Sequence, residues 1–509
     1  MQVKKGFYNI FFGFLGQVII LALGILVPRF ILKGYGDEAN GLISAIGQIF
    51  TYLALIESGI GQASLQELYK PIVNDDKKSI SSILATTQNT YRRLTWIYLI
   101  FVFIIAFGYP LFVRIEDTTT INFFGSSYFA VVFMVLIQGC SGAVTFYFVS
   151  TIRQLMLADG RNYIIVNITT FIKVLTSLLK IWLINIGINI VLLQIVYLAL
   201  SILEASIYFI IIKKRYGWIN WKAEKNQKVL KERRYFVVHE LSNVIFNSTD
   251  ILLLSIFCNL EIASIYAIFN MVFSALNALI TQIHNGCFYV LGQAYGESEK
   301  KYEKVHDLYD TFYIASVFAI ISVAYVLINP FIYLYTAGLT NISYTDKWLA
   351  LLFCLIQLLS CSRITSSNLI KIAGRAKDTI NRAIIEAVIN LVVSLVLIQF
   401  MGVYGVLLGT IVALLYRTND MIIYANKFIL KRSSFYTYKI VFCNAIIFSL
   451  IAISNEFLTF NITNYGCFFL WGIIFSIISF ILYFGINLIT NKKVRLYIIE
   501  VLKKKKEKK

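Results

Sequence analysis

The sequence has few charged residues for its length. Only 14% of its 509 residues are Asp, Glu, Lys or Arg, whereas soluble domains average about 25%. Hydrophobic residues make up 58%, which is enough for about fourteen spanning helices of about 21 residues each. This composition excludes both a soluble globular protein and a disordered one.

Signatures of several function classes are also missing. The seven cysteines form no Cys-x-x-Cys pair and have no zinc spacing, so we expect small buried hydrophobic residues. His284 has no metal-ligand partner at a suitable spacing. No GxxxxGK[ST] loop occurs, and the external connections are short and carry no close pair of acids for acid–base catalysis. The sequence therefore predicts no metal, no other cofactor and no enzyme.

The apolar segments predict an all-α polytopic membrane protein. The predicted spans are 8–32, 41–62, 95–114, 127–152, 163–184, 189–212, 236–258, 262–288, 308–330, 348–370, 381–400, 404–426, 438–456 and 466–489.

Lys and Arg outnumber Asp and Glu by 46 to 27. Nucleic-acid binding requires a solvated basic face on a soluble domain, so we expect no nucleic-acid partner. In the predicted topology, with the span-end bases Arg114, Arg382 and Lys439 counted with the adjoining connections, 38 of these bases lie on the side of the two termini, three lie on the opposite side, and five lie inside spans. The positive-inside rule therefore predicts that both termini are cytoplasmic.

The two halves of the chain resemble a repeat, because three short segments recur in the same order. Residues 36–42 and 260–266 open corresponding spans, Pro110 and Pro330 end another pair, and two Gly-Arg-x5-Asn segments precede a third pair at 160–167 and 374–381. Six spans per half predict a parallel repeat. The predicted divisions are an N-lobe (1–212), a basic linker (213–235), a C-lobe (236–430), an added hairpin of two spans (431–490) and a basic tail (491–509).

Five segments carry a resemblance to a known family: Arg29 with GYGDEANGL (34–42), IESGIG (56–61), the polar segment of span seven that ends in Asp250, Gly374-Arg375, and GVYG (402–405). They resemble the Wzx-type polysaccharide repeat-unit flippases of the multidrug/oligosaccharidyl-lipid/polysaccharide exporter superfamily. The resemblance implies two six-helix lobes in a bacterial plasma membrane. By alternating access, these would move an isoprenoid (undecaprenyl) diphosphate-linked oligosaccharide from the inner to the outer leaflet, alongside glycan-assembly proteins and membrane lipids. A peptidoglycan-precursor flippase, a drug/cation antiporter and a membrane glycosyltransferase or polymerase are the alternatives.

Five basic residues inside the predicted spans are the candidate substrate-binding groups. A base at the bilayer centre costs about 2.5–3.5 kcal/mol on insertion scales, so it usually faces a wet cavity or an opposite charge. Fixed cations would replace the hydration of a lipid-linked diphosphate, and arginine matches phosphate oxygens particularly well. The five are Arg29, Lys173, Lys180, Arg363 and Arg417.

Lys173 lies too deep in its span to reach the membrane interface easily. Each of the other four candidates could instead have a purely structural role. Arg29 follows a proline and would also suit an outer-interface anchor. Lys180 lies near a span end, from which it could reach the interface. Arg363 would also suit an ion pair between helices, and Arg417 precedes Asp420 by three residues on one helical face.

Polar residues in the spans are candidates for lining the cavity or for coupling. Asn243, Asn247 and Asp250 share one face of span seven, Asn277 lies in span eight, and the other acids in the spans are Glu57, Glu204, Glu386 and Asp420. Such polar faces bind sugar hydroxyls or hold helices together. For Glu57, capping a helix or pairing with a loop lysine is the alternative. The sequence leaves open whether H+, Na+ or the membrane potential drives transport.

Overall fold

The computed structural model describes residues 2–115, 120–224, 248–297, 299–338, 342–373, 375–457 and 462–507. Some side chains within these ranges, including those of Glu57 and His284, are outside the description. The helices are α1 (Gln2–Val73), α2 (Lys77–Gly108), α3 (Ser127–Val144), α4 (Ser150–Ala158), α5 (Asn162–Asn185), α6 (Ile190–Arg215), α7 (Ser248–Phe257), α8 (Leu260–Glu297), α9 (Glu299–Thr336), α10 (Lys347–Ser362), α11 (Ile364–Ile372), α12 (Ile380–Met401), α13 (Val403–Tyr424), α14 (Phe435–Phe457), α15 (Tyr465–Thr490) and α16 (Lys492–Glu507).

Twelve stretches of the described chain are helical, long and apolar enough to cross a membrane. The first of them, Leu15–Ala54, overlaps two of the predicted spans, 8–32 and 41–62. The predicted span 236–258 falls mostly on residues outside the description, and α7 is its described part. No strand occurs among the described residues, so the prediction of an all-α polytopic membrane protein is confirmed.

Two glycines shape α1. At Gly36 the backbone has φ +82° and ψ −172°, a conformation that essentially only glycine adopts, and the helical path is interrupted there. At Gly41 an added Cβ would collide with the backbone oxygen of Leu260. The GYGDEANGL segment therefore combines a break in α1 with a close approach between α1 and the start of α8.

The chain divides into two compact units, of which the first comprises Met1–Ala267. Its core packs α1, α2, α3 and α6 around buried residues such as Ile46, Val102 and Met134. Buried polar side chains join these helices. The Tyr35 hydroxyl donates to the carbonyl oxygen of Ile188 at 2.5 Å. The predicted lobe boundaries remain a prediction.

The second unit comprises Ile268–Lys509, and α9 lies at its centre, packed by α10, α14 and α15. The C-terminal hairpin of α14 and α15 is fixed by polar contacts. Ser322 and Tyr483 share a hydrogen bond of 2.7 Å, and the amides of Asn444 and Asn487 bond to each other at 2.8 and 3.2 Å. Amide pairs of this kind hold spanning helices together.

Large apolar side chains remain exposed along the spanning helices. Phe400 is 80% exposed, Phe442 67% and Ile481 69%, and soluble monomers rarely expose such extensive apolar surface. These side chains suit a hydrocarbon surrounding, as expected for a multi-pass membrane protein.

Candidate functional site

Five charged side chains of the second unit form a connected chain, which we call the arginine ladder. In order, its members are Arg382, Asp420, Arg417, Glu386 and Arg363. Nη1 of Arg382 lies 2.6 Å from Oδ1 of Asp420, and Nη1 of Arg417 lies 2.8 Å from Oδ2 of the same carboxylate. Nε of Arg417 lies 3.4 Å from Oε2 of Glu386, and Arg363 pairs with Oε1 of Glu386.

Local sequence positions the ladder. Arg382 and Glu386 are one helical turn apart at the start of α12, and Arg417 and Asp420 are one turn apart near the end of α13. Because α12 and α13 pack side by side, these two pairs meet. Arg363 lies at the junction where α10 ends and α11 begins. The ladder therefore joins three neighbouring spans.

The ladder holds three arginines and two carboxylates, which leaves one positive charge in excess. The side chain of Arg417 is 4% exposed and that of Glu386 is 9% exposed, so the centre is shielded from solvent. Arg363 and Arg382, at the two ends, are 19% and 34% exposed. The side chains at the two ends thus keep part of their surface uncovered, while the central pairs offset the cost of burying charge.

A smaller cation-rich cluster occurs in the first unit. Nη2 of Arg153 on α4 lies 2.5 Å from Oε1 of Glu204 on α6, and its guanidinium carbon lies 5.7 Å from the ring centroid of Tyr208. Both charged groups act electrostatically on Lys173, whose residue is exposed on α5. Two bases and one acid again leave one positive charge in excess.

Lys180 lies on the same helix as Lys173 but is 3% exposed. Its Nζ lies 3.2 Å from the ring centroid of Tyr197 on α6, an attraction between a cation and an aromatic face. The side chain is therefore enclosed by the first unit and does not extend to an interface. It is not part of the cluster around Arg153.

The other predicted residues are dispersed. Arg29 is half-buried on α1 and interacts with other residues of the chain. Asp250 is buried on α7, where the Tyr266 hydroxyl donates to its Oδ2 at 3.0 Å. Asn277 is exposed on α8. Asn243, Asn247 and the side chain of Glu57 lie outside the described residues.

The structure adds charged residues that the sequence did not single out. Arg153 escaped because span four was predicted to end at 152, whereas this helical stretch continues to Ala158. Arg382, the second residue of the predicted span 381–400, was counted with the preceding cytoplasmic connection, although its spacing of four from Glu386 was a usable signal. The Gly-Arg segment at 160–161 has a structural contact, since Arg161 pairs with Asp159 at 2.5 Å.

Asp159 also accepts a hydrogen bond from the Tyr216 hydroxyl at 2.7 Å. Burial and this carboxylate raise the pKa of Tyr216 above its ordinary value, because both disfavour the phenolate. Tyr216 therefore remains a hydrogen-bond donor, and it connects the end of α6 to the turn between α4 and α5.

Solved structures share this fold. A lipid II flippase, MurJ, in an inward closed conformation superposes with a TM-score of 0.68 at 14% identity, covering 95% of this chain and 98% of that one. An inward-facing multidrug resistance MATE family transporter of the MOP superfamily gives 0.60 at 14% identity, covering 85% and 95%. MATE in a bent conformation gives 0.52 at 14% identity, covering 87% and 94%.

No protein-family model matches the sequence. No curated protein is similar to it at a significant level. The class is therefore defined by the fold: a multi-pass membrane protein with the architecture of MOP-superfamily transporters and flippases.

Proposed function

We propose that this protein is a flippase that moves an isoprenoid (undecaprenyl) diphosphate-linked oligosaccharide from the inner to the outer leaflet of a bacterial plasma membrane. The observation that carries the proposal is the arginine ladder, which keeps more cations than anions within spanning helices. Placing a cation in a spanning segment costs free energy. Binding of an anionic cargo would explain why the spans carry such cations. The ladder's guanidinium groups match phosphate oxygens in charge and geometry.

The ladder also suggests how the cargo is held. Glu386 is shared by Arg363 and Arg417, and Asp420 is shared by Arg417 and Arg382. A diphosphate approaching the exposed end at Arg363 would compete with Glu386 for that guanidinium. The internal carboxylates thus keep the arginines paired when no cargo is bound, and the diphosphate takes over part of this pairing.

Alternating access would carry the headgroup across while the isoprenoid tail stays in lipid. The cluster of Arg153, Glu204 and Lys173 supplies a second cationic surface. In this proposal both termini face the cytoplasm, the chain performs no catalysis, and glycan-assembly proteins supply and consume the cargo. Two other functions are tested beside it: flipping of a peptidoglycan lipid precursor and drug/cation exchange.

The test is transport by the purified protein in liposomes, with an undecaprenyl diphosphate-linked oligosaccharide supplied inside and detected outside by a lectin. We expect Arg363→Ala to lower the initial rate about tenfold or more, because a charge-assisted hydrogen bond contributes about 1.5–3 kcal/mol. Lys347→Ala is the matched control. It removes a base whose side chain is 70% exposed and paired with Glu456, and its rate should equal that of the unmodified protein.

The same liposomes loaded with lipid II or with a cationic drug separate the alternatives. Transport of lipid II without transport of the oligosaccharide would move the assignment to the peptidoglycan branch. Drug transport that Arg363→Ala leaves intact would point to an antiporter. An Arg363→Ala rate equal to that of Lys347→Ala would remove the ladder from cargo binding.

A further inference from the structure

A second buried network of charged groups lies in the second unit, apart from the arginine ladder. We call it the acid cluster: Glu303, His306, Asp307 and Asp310 on α9, with Arg432 from the connection between α13 and α14. Arg432 pairs with Asp307 and lies 3.8 Å from Oε1 of Glu303. Its Nε donates to the side-chain oxygen of Asn426 at 2.8 Å, and its guanidinium carbon lies 4.4 Å from the Tyr436 ring centroid.

Asp310 is fully buried, with 0% exposure. Its polar neighbours are hydroxyl groups: Thr437 Oγ1 lies 3.3 Å from its Oδ2, and Thr365 of α11 lies beside it. The positive charge that acts on it is that of Arg432, whose Nη1 is already paired with Asp307. An ionised carboxylate buried among hydroxyls without a salt bridge of its own is strongly disfavoured.

The network also contains buried polar atoms without partners among the described residues. His306 is 3% exposed and lies one helical turn from Asp310, and although the backbone of Thr365 approaches its ring, neither ring nitrogen makes a well-aligned hydrogen bond with a described residue. Nη2 of Arg432 likewise makes no hydrogen bond with a described residue. Buried polar atoms in native proteins normally have partners, so such a group of exceptions indicates a site for water or a transferable proton.

A cavity of about 520 Å³ reaches this cluster. It is lined by Glu303 and Asp307 of the cluster and by residues of α16, including Lys493 and Tyr497. By the positive-inside prediction, α16 lies on the cytoplasmic side. A path for water therefore leads from that side to Asp307, one helical turn from Asp310.

We propose that Asp310 is a proton-binding site, loaded from the cavity through Asp307. A hydronium ion in the cavity protonates the Asp307 carboxylate and leaves water, and Asp307 passes this proton to the Asp310 carboxylate, so that Asp307 is again ionised and Asp310 is a neutral carboxylic acid. The new O–H of Asp310 donates a hydrogen bond to the hydroxyl oxygen of one of the two threonines. Proton uptake removes the uncompensated buried charge of Asp310. The protonated and ionised forms of Asp310 therefore favour different packing around α9. A role of Asp310 in coupling proton binding to transport would rest on the proposed function. Proton binding by Asp310 does not depend on that function.

Other titratable and charged groups surround the site and set its response to pH. They are Glu303, His306, Asp307, Tyr309 and Tyr313 on α9, Arg432 after α13, Tyr436 on α14, and Lys493, Tyr497 and Glu500 on α16. His306 is the group whose titration would most resemble that of Asp310, so the experiment must distinguish the two.

Infrared spectroscopy of the purified protein in lipid nanodiscs makes that distinction, because a protonated carboxyl has a C=O band that imidazole lacks. We expect the difference between the spectra of the unmodified protein and Asp310→Asn, in which the other carboxyl groups cancel, to contain this band at neutral pH and to lose it as the pH rises. His306→Asn should shift the titration without abolishing the band. Glu456→Gln, at an acid whose side chain is 46% exposed and which lies outside the cluster, should retain it.

A difference spectrum that lacks this band at every pH would overturn the proposal. Sodium chloride that removes the band at constant pH and ionic strength would also overturn it, by showing a sodium site instead. In liposomes, the oligosaccharide transport rate should fall with rising pH in the unmodified protein and lose this dependence in Asp310→Asn. If no oligosaccharide is transported while the infrared band behaves as expected, the proposed function fails and the proton site stands.

Discussion

At the scale of single residues, the arginine ladder shows how spanning helices accommodate fixed charge. Arg417 is nearly inaccessible and lies between two carboxylates, so its burial is compensated within the protein. Arg363 and Arg382 each pair with one shared carboxylate and keep part of their surface accessible. The structural alternative and the binding role are therefore compatible, because the inner pairs stabilise the helices while the ends stay available.

Removing the Glu386 carboxylate, which Arg363 and Arg417 share, tests both the stabilising role and the binding role of the arginine ladder. Glu386→Gln leaves Arg363 and Arg417 without their common partner, and removing one member of a buried pair typically costs about 3–5 kcal/mol. We expect a lower thermal unfolding midpoint. Added inorganic pyrophosphate should restore it more strongly in this variant than in the unmodified protein, because the anion replaces the lost carboxylate.

Glu456→Gln serves as the control for that measurement, since its exposed pair with Lys347 should contribute little. The two midpoints should be compared with and without pyrophosphate at constant ionic strength. Equal stabilisation of all three proteins would show that the ladder does not bind diphosphate.

At the scale of single elements, α1 depends on one glycine. A conformation outside the usual regions costs about 1–3 kcal/mol for another residue, so Gly36→Ala should destabilise the protein by about that amount. Gly47 is the matched control, since it lies in regular helix and an added Cβ meets nothing within 4 Å. Gly47→Ala should be neutral or stabilising by about 0.5–1 kcal/mol.

Thermal unfolding of the two alanine variants in the same detergent checks this difference. A Gly36→Ala midpoint at or above that of Gly47→Ala would mean that α1 does not need its break. The comparison is informative because both substitutions add one methyl group to the same helix.

The sequence predicted the fold more completely than it predicted the contacts of the candidate site. Long apolar segments predicted the helices, because hydrocarbon permits few alternatives. The pair of Arg417 and Asp420 was visible because it lies within one helix. The pairs of Arg363 with Glu386 and of Arg432 with Asp307 join residues distant in sequence, and no local period encodes them. Arg153 was missed because of an error of several residues in one span boundary.

At the scale of the whole molecule, the distribution of charge predicts an orientation that the fold alone does not contain. The 38 bases assigned to one side predict cytoplasmic termini and a cytoplasmic connection at 213–235. Twelve described stretches are long and apolar enough to cross a membrane. The first contains the break at Gly36 and overlaps two predicted spans, and α7 is the described part of a further predicted span.

Reporter fusions test this orientation. Alkaline phosphatase, which is active only outside the cytoplasm, should be inactive when fused after Asn220 or after the last residue, and active when fused after Thr345. A fluorescent protein that folds only in the cytoplasm should give the opposite pattern at the same positions. Phosphatase activity at the C-terminus would reverse the assignment of the two faces.

The arginine ladder also constrains how this protein can vary over time. Each carboxylate serves two arginines, and Arg417 serves two carboxylates. Replacing any of the three inner members therefore disturbs two contacts at once, and exchanging acid and base within one pair places like charges together at the next contact. The five positions should consequently drift as a group, with change at one accompanied by change at its neighbours. Positions in three separate stretches of the sequence would then covary among related proteins.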